Sequence, residues 1–245
     1  MLNYLTWDSQ FFDRRIGQLA SPPRAREGWI AADRDAFLQG LECVYLLVDI
    51  QDTAAVAAAQ EAGFCLVDIR LTLSREISGE QLPAAQPPPG VSLRPAASDD
   101  LPALQAIARQ SHTDSRFFSD PHFDPARSAE MYAVWIASYL EETDNVIVWT
   151  GEQDGEALGY LTCRVAGQTG RIGLVGLAPQ ARGKGLGSAL LATGLAWFAT
   201  QGARQVEVVT QGRNLPAQRL YQRGGFRSAR LQLWFHKWYP RQQPA

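Results

Sequence analysis

Residues 182–202 read RGKGLGSALLATGLAWFATQG. Three glycines and two cations, Arg182 and Lys184, precede an apolar run with helical periodicity. One stripe of the predicted helix carries Leu191, Leu195 and Phe198. The start of a helix presents amide donors without intrahelical partners, and glycines allow a phosphate to approach them closely. The stretch therefore predicts a helix whose first turn binds a phosphate group.

Spacing separates three known phosphate-loop patterns. The Walker loop needs a glycine where the chain has Ala178 and a Ser or Thr where it has Gly185. The dinucleotide fingerprint needs a third glycine at Ser188 and a strand that leads directly into the turn, whereas the predicted strand ends near Pro179. The third pattern, Q/R-x-x-G-x-G/A, is satisfied in full by residues 182–187.

The flanking sequence predicts alternating strands and helices. VSLRPA begins a strand, and SDDLPALQAIARQ follows as a helix with Ser98 as its N-cap. A second amphipathic helix is expected around SAEMYAVWIASYLEE. NVIVWTGE and ALGYLTCRVAG predict a strand pair around a turn at Asp154 and Gly155, and RIGLVGLAP predicts a strand interrupted by Gly173 and Gly176.

A partial repeat is predicted between the two ends of the chain. Residues 44–63 and 206–225 share a strand, a helix and a closing Gly-Phe, with a constant offset of 162. The proline-rich segment LPAAQPPPG, residues 82–90, is typical of a linker. We therefore expect an N-terminal domain at 1–81, a linker at 82–90 and a second domain at 91–245.

Composition and charge limit the function further. The chain has 245 residues, 46% of them hydrophobic, so it can bury a sizeable core. Residues 157–245 carry 12 basic side chains and a single acid, a net charge of +11, which favours a ligand with several phosphates. These basic residues are spread over strands and helices without a nucleic-acid-binding motif, so we do not expect nucleic acid as a partner.

Metal, membrane and secretion are not expected. Neither the three cysteines nor the three histidines have metal-ligand spacing, and Cys43, Cys65 and Cys163 predict buried reduced thiols. No run of eighteen apolar residues occurs, and MLNYLTWDSQFFDRR lacks the order of a secretory signal, so a cytoplasmic location is expected. A homodimer is left open.

The glycine turn, the helix after it and the strand before it together resemble the GCN5-related N-acetyltransferase (GNAT) superfamily over residues 91–239. This resemblance implies the GNAT acyl-CoA N-acyltransferase fold, an α/β (α+β) arrangement with a mixed, mostly antiparallel sheet flanked by helices. It implies that the turn binds the pyrophosphate of acetyl-CoA, and that the strand at residues 174–178 exposes backbone amides to the pantetheine and thioester, with Gly176 permitting a bulge. The implied acetyl-CoA-binding residues are Val175, Gly176, Leu177, Arg182, Gly183, Lys184, Gly185, Leu186, Gly187, Ser188, Asn214 and Tyr221.

A closer likeness extends over nearly the whole chain. The segments LTWDSQFF (5–12), SRFFSDPHFDPARSAEMYAVWI (115–136) and RNLPAQRLYQRGGF (213–226) resemble the dTDP-4-amino-4,6-dideoxygalactose (dTDP-fucosamine) N-acetyltransferases. Members of that family have an N-terminal section that resembles a truncated acetyltransferase, which agrees with the repeat. Asn214 and Tyr221 correspond to Asp52 and Ala59 under the offset, and the first copy has no glycine turn, so it is expected to be catalytically silent.

Acetyl transfer to an amine needs an aimed neutral amine, donors for the carbonyl oxygen and an acid for the leaving thiolate. The resemblance implies Tyr221 as that acid and Asn214 as a residue that binds the cofactor. Asn is also a favoured N-cap residue, and capping the helix does not exclude binding the pantetheine. The general base stays open between Asp114, Asp120, His122 and Glu130. For a nucleotide-sugar acceptor we expect stacking and diphosphate contacts from Arg116, Phe117, Phe118, Tyr132 and Trp135, although the same segment suits core packing equally well.

The expected function is an acetyl-CoA-dependent N-acetyltransferase that acts on a dTDP-linked amino-deoxy sugar by direct attack in a ternary complex. One alternative keeps the chemistry and changes the acceptor to a protein, a peptide or another small amine. The other alternative is a non-catalytic acetyl-CoA sensor.

Overall fold

The structure is a computed structural model that describes residues 1–79, 82 and 84–241. The strands are β1 Leu2–Tyr4, β2 Ile16–Leu19, β3 Cys43–Asp49, β4 Cys65–Glu76, β5 Ser92–Pro95, β6 Val146–Gln153, β7 Glu156–Ala166, β8 Thr169–Leu177, β9 Gln205–Gln211 and β10 Arg227–Trp238. The helices are α1 Thr6–Phe12, α2 Arg26–Leu38, α3 Thr53–Glu61, α4 Leu101–Ser111, α5 Arg116–Ser119, α6 Pro125–Glu141, α7 Leu186–Thr200 and α8 Leu215–Arg223. Short 3-10 turns cover Ser98–Asp100 and Pro179–Ala181.

The chain forms two compact units that are not contiguous in sequence. The first contains residues 1–71, 115–123 and 230–245, and the second contains residues 72–114 and 124–229. Strands β4 and β10 therefore contribute residues to both units. The sequence instead predicts a linker at 82–90 between two domains. Residues 80, 81, 83 and 242–245 lie outside the described part of the chain, and the three-part domain organisation stays a prediction.

In the first unit the strand order is β1-β2-β3-β10-β4. Strand β2 pairs parallel to β3, while β10 pairs antiparallel to β3 with Phe235 opposite Leu46. The hydrophobic core of this unit includes Leu46, Phe64 and Phe235, all less than 5% exposed. Because a long connection separates β3 from β10 in sequence, this pairing is a long-range contact that local patterns do not reveal.

In the second unit the strand order is β9-β8-β7-β6-β5. All neighbours are antiparallel except β8 and β9, which are parallel and are joined through α7. Helices α4 and α6 pack against each other, and the stripe of Leu191, Leu195 and Phe198 on α7 is buried. The mixed, mostly antiparallel sheet flanked by helices is the fold class that the sequence predicts.

The predicted repeat is confirmed at the level of elements. Strand β3, helix α3 and strand β4 begin and end 162 positions before β9, α8 and β10, respectively. The helix caps repeat as well, because Asp52 accepts a hydrogen bond from the amide of Ala55 and Asn214 accepts one from the amide of Ala217. Two copies of one supersecondary unit thus occur in the chain.

Long-range contacts repeat with the same offset. In the second unit the Arg75 guanidinium donates to the carbonyl of Gly224 over 2.7 Å. In the first unit Lys237 donates to the carbonyl of Ala62, also over 2.7 Å. Each helix of the repeat therefore has a cation from the other copy's last strand bound at its C-terminal end, where the helix dipole favours positive charge.

Two expectations from the sequence are wrong. Ser98 does not cap a helix, because its side chain makes no capping bond and the Asp100 carboxylate instead accepts from the Ala97 amide over 2.7 Å. Cys65 is exposed, whereas the other two cysteines are buried as expected. No described helix is long and apolar enough to span a membrane.

Candidate functional site

The second unit contains an opening between its two parallel strands. Paired residues of β8 and β9 run only from Thr169 opposite Gln205 to Ile172 opposite Val208. Both strands continue beyond that point, β8 to Leu177 and β9 to Gln211. The edge of β8 from residue 173 onward is therefore not hydrogen-bonded to β9, and its main-chain groups are available to a ligand.

The irregularity in β8 lies earlier than the sequence predicts. The register between β7 and β8 shifts between Leu161 and Cys163, opposite Gly173 and Leu174, where the Leu174 amide donates to the Thr162 hydroxyl over 2.8 Å. Gly176 pairs regularly with Tyr160, so the expected bulge at Gly176 is wrong. Glycine is needed there for another reason, because a Cβ at residue 176 would lie 2.6 Å from the Tyr160 ring.

The glycine turn follows β8 and opens α7. Gly183 and Gly185 both have positive φ, +74° and +91°, a conformation that side chains other than glycine disfavour. A Cβ added at either residue would meet nothing within 4 Å, so the turn is open to solvent. No side chain caps α7, in contrast to the capped helices α3 and α8. The first amides of α7 are thus suited to an anion, which fits the pyrophosphate of acetyl-CoA.

Two cations flank this turn. Arg182 is exposed, and its guanidinium donates to the carbonyls of Leu177 over 3.2 Å and of Gln110 over 3.4 Å. It therefore ties the end of β8 to the end of α4. Lys184 is exposed at the tip of the turn. Both positive charges add to the partial positive charge of the helix start.

A cavity of about 400 Å³ begins at this turn within the second unit. Gly185 and Ser188 line one end of it, and Leu191, Ala192 and Leu195 continue the lining along α7. The other walls come from Arg75, Ala84, Gln86, Leu220, Arg223 and Gly224. A volume of this size is within the range of small-molecule sites.

Asn214 and Tyr221 stand at opposite ends of α8. The Asn214 side chain caps the helix, as the sequence allowed. Tyr221 is 4% exposed, and burial raises the pKa of its hydroxyl, so the phenol keeps its proton at neutral pH. Both properties are compatible with the expected roles, which stay predictions, as do those of Val175, Leu177, Leu186 and Gly187.

The residues expected to bind the acceptor fall into both units. Arg116, Phe117 and Phe118 belong to the first unit, whereas Tyr132 and Trp135 belong to the second. The Arg116 guanidinium lies over the rings of Tyr45, Phe117 and Trp234 at 4.6, 4.5 and 4.0 Å, respectively. Phe117 is only 4% exposed and packs in the aromatic core of its unit. Tyr132 is also buried, with its ring at right angles to Trp135.

Two base candidates belong to an aspartate-centred cluster in the first unit. Asp120 accepts hydrogen bonds from the amide and ring of His122 and from the rings of His236 and Trp238, at 2.6–3.0 Å. Burial alone would raise the pKa of Asp120, but these hydrogen bonds outweigh it and hold the pKa well below its usual range. Burial lowers the pKa of His236 to about 4, so this imidazole is neutral. Asp120 therefore holds the cluster together.

The other two candidates belong to the second unit. Glu130 forms a two-pronged ion pair with Arg109, at 2.8 and 3.1 Å, and this pairing lowers the pKa of the carboxyl. Asp114 is half-buried. Glu130 is thus engaged as an ion-pair partner, and none of the four candidates is singled out as a base.

Sequence reasoning missed one pair of residues in the second unit. His112 Nε2 and the Tyr160 hydroxyl lie 2.9 Å apart in a hydrogen bond, and the His112 ring stacks on Tyr132 at 4.5 Å. Tyr160 abuts Gly176 of β8. His112 and Tyr160 are 48 positions apart in sequence, so no local pattern reveals their contact. The pairing of Tyr160 with Gly176 between β7 and β8 is what connects the two residues to the site. Among the described residues no group of metal-ligating side chains occurs.

The α/β sheet with an opening between two parallel strands and the uncapped glycine-led helix are the features that the resemblance to the acyl-CoA N-acyltransferase fold implies. The sequence profile of the acetyltransferase (GNAT) family matches residues 107–226. This part of the chain belongs to the GNAT family.

Two curated relatives and one solved structure are similar to this chain. The dTDP-fucosamine acetyltransferase of Escherichia coli O6:H1 is 27% identical over 242 residues, which cover 95% of this chain and 96% of that protein. The spore coat polysaccharide biosynthesis protein SpsD of Bacillus subtilis is 32% identical over 151 residues, 62% of this chain and 52% of that protein. A GCN5-related N-acetyltransferase from Sphaerobacter thermophilus has the same fold, with a TM-score of 0.70, 17% identity, and coverage of 97% of this chain and 76% of that one. The chain thus spans about half the length of SpsD and nearly all of the Escherichia coli relative.

Proposed function

We propose that the chain is an acetyl-CoA-dependent N-acetyltransferase that acetylates the amino group of a dTDP-linked amino-deoxy sugar. The donor half of the proposal is supported by the opening of β8 next to the uncapped start of α7. The acceptor half is supported by the likeness to the dTDP-fucosamine acetyltransferase, which extends over 95% of this chain and not only over the family domain.

Acetyl-CoA supplies the acetyl group as a thioester, and the residues of the chain hold it in place. The amides of Leu186, Gly187 and Ser188, together with Arg182 and Lys184, bind the pyrophosphate. The free edge of β8 at Val175 and Leu177 hydrogen-bonds the pantetheine and the thioester carbonyl, which stabilises negative charge on that oxygen during attack.

Direct attack by the sugar amine requires one acid from the protein. The amine nitrogen forms a bond to the carbonyl carbon and loses a proton to water, and the carbon–sulfur bond breaks. The thiolate takes a proton from the Tyr221 hydroxyl, which regains one from solvent before the next turnover. Burial raises the pKa of the Tyr221 hydroxyl, so the phenol is protonated at neutral pH and has a proton to donate. No covalent intermediate on the protein is needed.

The domain proposal follows from the repeat. The first copy has Asp52 and Ala59 where the second has Asn214 and Tyr221, and it has no glycine turn. We therefore infer that the section 1–81 is catalytically silent, and that acetyl transfer depends on the section 91–245.

The test is release of CoA from acetyl-CoA in the presence of dTDP-4-amino-4,6-dideoxygalactose, followed with a thiol-reactive dye and with mass spectrometry of the sugar. We expect one acetylated sugar for each thiol released and no release with dTDP alone. Turnover with peptide amines but not with the nucleotide sugar would remove the acceptor assignment. Acetyl-CoA binding without turnover on any amine would leave the non-catalytic sensor in its place.

A further inference from the structure

Three rings of the second unit, from two helices and a strand, are in contact. His112 stacks on Tyr132 and is hydrogen-bonded to Tyr160. His112, at the end of α4, lies parallel to Tyr132 of α6, with ring centres 4.5 Å apart. Its Nε2 is hydrogen-bonded to the hydroxyl of Tyr160 on β7 over 2.9 Å. Tyr160 is completely buried and Tyr132 is 5% exposed. The imidazole therefore sits in a fixed position between two tyrosine rings.

The Tyr160 ring in turn supports the main chain of β8. Tyr160 and Gly176 are direct partners in the ladder of β7 and β8. A Cβ at residue 176 would lie 2.6 Å from Tyr160 Cζ and 2.8 Å from its hydroxyl oxygen. The ring thus occupies the space that any side chain at residue 176 would need. Gly176 lies beyond the last residue pair of β8 and β9, in the free part of β8.

This polar pair is costly as a packing element. Burial lowers the pKa of His112 to about 4 and raises the pKa of Tyr160, so both groups are held neutral in an apolar surrounding. Two apolar rings of the same size would fill the space without that desolvation cost. In return, a satisfied buried hydrogen bond fixes the positions of the two groups that it joins.

A second contact joins the same two elements. Arg182 donates to the carbonyl of Leu177 at the end of β8 and to the carbonyl of Gln110 on α4. The last turn of α4 is therefore linked to β8 twice. Arg182 links it to Leu177, and Tyr160 links it to the preceding residue, Gly176. The free part of β8 is held on the side that faces α4.

We propose that Tyr160 and His112 are positioning residues for acetyl transfer: their hydrogen bond fixes the main chain at Gly176 and with it the peptide groups of Val175 and Leu177. The inference rests on the proposed function, in which these peptide groups hold the thioester. Neither side chain has to contact the substrate, because the strand transmits their effect.

The experiment compares Tyr160→Phe and His112→Leu with the parent chain. Each variant places a bulky apolar side chain at its position and removes the hydrogen bond between His112 and Tyr160. Thr193→Val is the control, since it removes a different side-chain hydroxyl bond of this unit, from Thr193 to the carbonyl of Ala189 within α7. His112→Gln is the rescue variant, because its amide group can take the place of Nε2.

We expect Tyr160→Phe and His112→Leu each to lower kcat about tenfold, as the loss of one positioning hydrogen bond implies. The dissociation constant of acetyl-CoA should change less than about threefold, because the pyrophosphate contacts are elsewhere. The double variant should be no slower than the single variants, and His112→Gln should recover most of kcat. Hydrogen exchange at residues 173–177 should rise in the slow variants and not in Thr193→Val.

Three results would overturn the inference in an active wild-type chain. They are unchanged kcat in both variants, an equal loss of kcat in Thr193→Val, and additive losses in the double variant. A wild-type chain that binds acetyl-CoA but acetylates no amine would overturn the proposed function, and the positioning role in acetyl transfer with it. The activity of the wild type thus separates the two failures.

Discussion

Replacing Gly185 by alanine tests the glycine turn without disturbing the packing of the core. Gly185 stands immediately before α7 with φ +91° and ψ −9°, and a Cβ there would meet nothing within 4 Å. The substitution therefore acts through the backbone alone. Holding an alanine in the left-handed region costs about 1 to 2 kcal/mol, so the turn either keeps its shape at that cost in stability or relaxes to another conformation.

The two responses give different values for CoA affinity. If the turn relaxes, at least one charge-assisted hydrogen bond to the pyrophosphate is lost, which is about 2 kcal/mol or ~30-fold in the dissociation constant. If the turn keeps its shape, the free energy of unfolding falls by about 1 to 2 kcal/mol and the affinity is retained. We expect the first response, since an exposed turn is free to move, and titration calorimetry with CoA measures it directly.

Gly155→Ala is the matched control for this experiment. Gly155 belongs to the same unit, has φ +84° and also has nothing within 4 Å of an added Cβ, but it lies in the hairpin turn between β6 and β7. It should leave CoA affinity unchanged. An unchanged dissociation constant in Gly185→Ala together with unchanged stability would refute the reasoning, and so would an equal loss of affinity in Gly155→Ala.

Three further predictions concern other parts of the chain. Tyr221→Phe should lower kcat by about 100-fold and leave acetyl-CoA affinity within about threefold, since it removes only the proton donor; full activity would exclude Tyr221 as the acid. Because the folded pKa of His236, about 4, lies below its ordinary value, its contribution to stability is complete above pH 6.5 and is lost as the pH falls toward 4. Between pH 7.5 and 4.5, the free energy of unfolding measured in urea should fall less in His236→Gln than in the wild type, by about 2 to 3 kcal/mol. An equal fall in the two proteins would contradict this prediction. Asp120→Asn should lower the free energy of unfolding at pH 7.5 by about 2 to 3 kcal/mol, because Asp120 is 2% exposed and accepts hydrogen bonds from three rings. A change of less than about 0.5 kcal/mol would show that these hydrogen bonds do not stabilise the fold.

The sequence predicts those features that depend on neighbouring residues. The glycine turn, the helix after it and the hairpin at Asp154 and Gly155 each follow from local conformational preferences, and the structure confirms them. The repeat is also visible in sequence, because the same pattern of strand, helix and Gly-Phe recurs at a fixed spacing.

Pairing over long distances is not visible in this way. The assignment of β10 to β3, and of residues 115–123 to the first unit, depends on contacts between distant segments. For the same reason the sequence allows Phe117 either to bind an acceptor or to pack in the core, and in the structure its ring packs with Phe12 and Phe123. An aromatic residue in an amphipathic segment fits either role, and only the packing distinguishes them.

The candidate site also combines residues that the sequence predicts with residues that it does not. Residues of the turn, such as Arg182 and Gly185, come from one short stretch and are predictable from its spacing. His112 is an isolated histidine in sequence, and its relation to Gly176 depends on Tyr160, which occupies the space above a glycine in the neighbouring strand. No local pattern encodes that contact.

The most direct test of the donor site compares CoA with 4′-phosphopantetheine by titration calorimetry on the wild-type chain. The smaller ligand keeps the pantetheine but has neither the pyrophosphate bridge nor the adenosine. If the start of α7 binds the pyrophosphate, CoA should bind at least about tenfold more tightly, since the smaller ligand loses at least one charge-assisted contact. Equal affinity for the two ligands, or no binding of CoA, would contradict the assignment of the glycine turn.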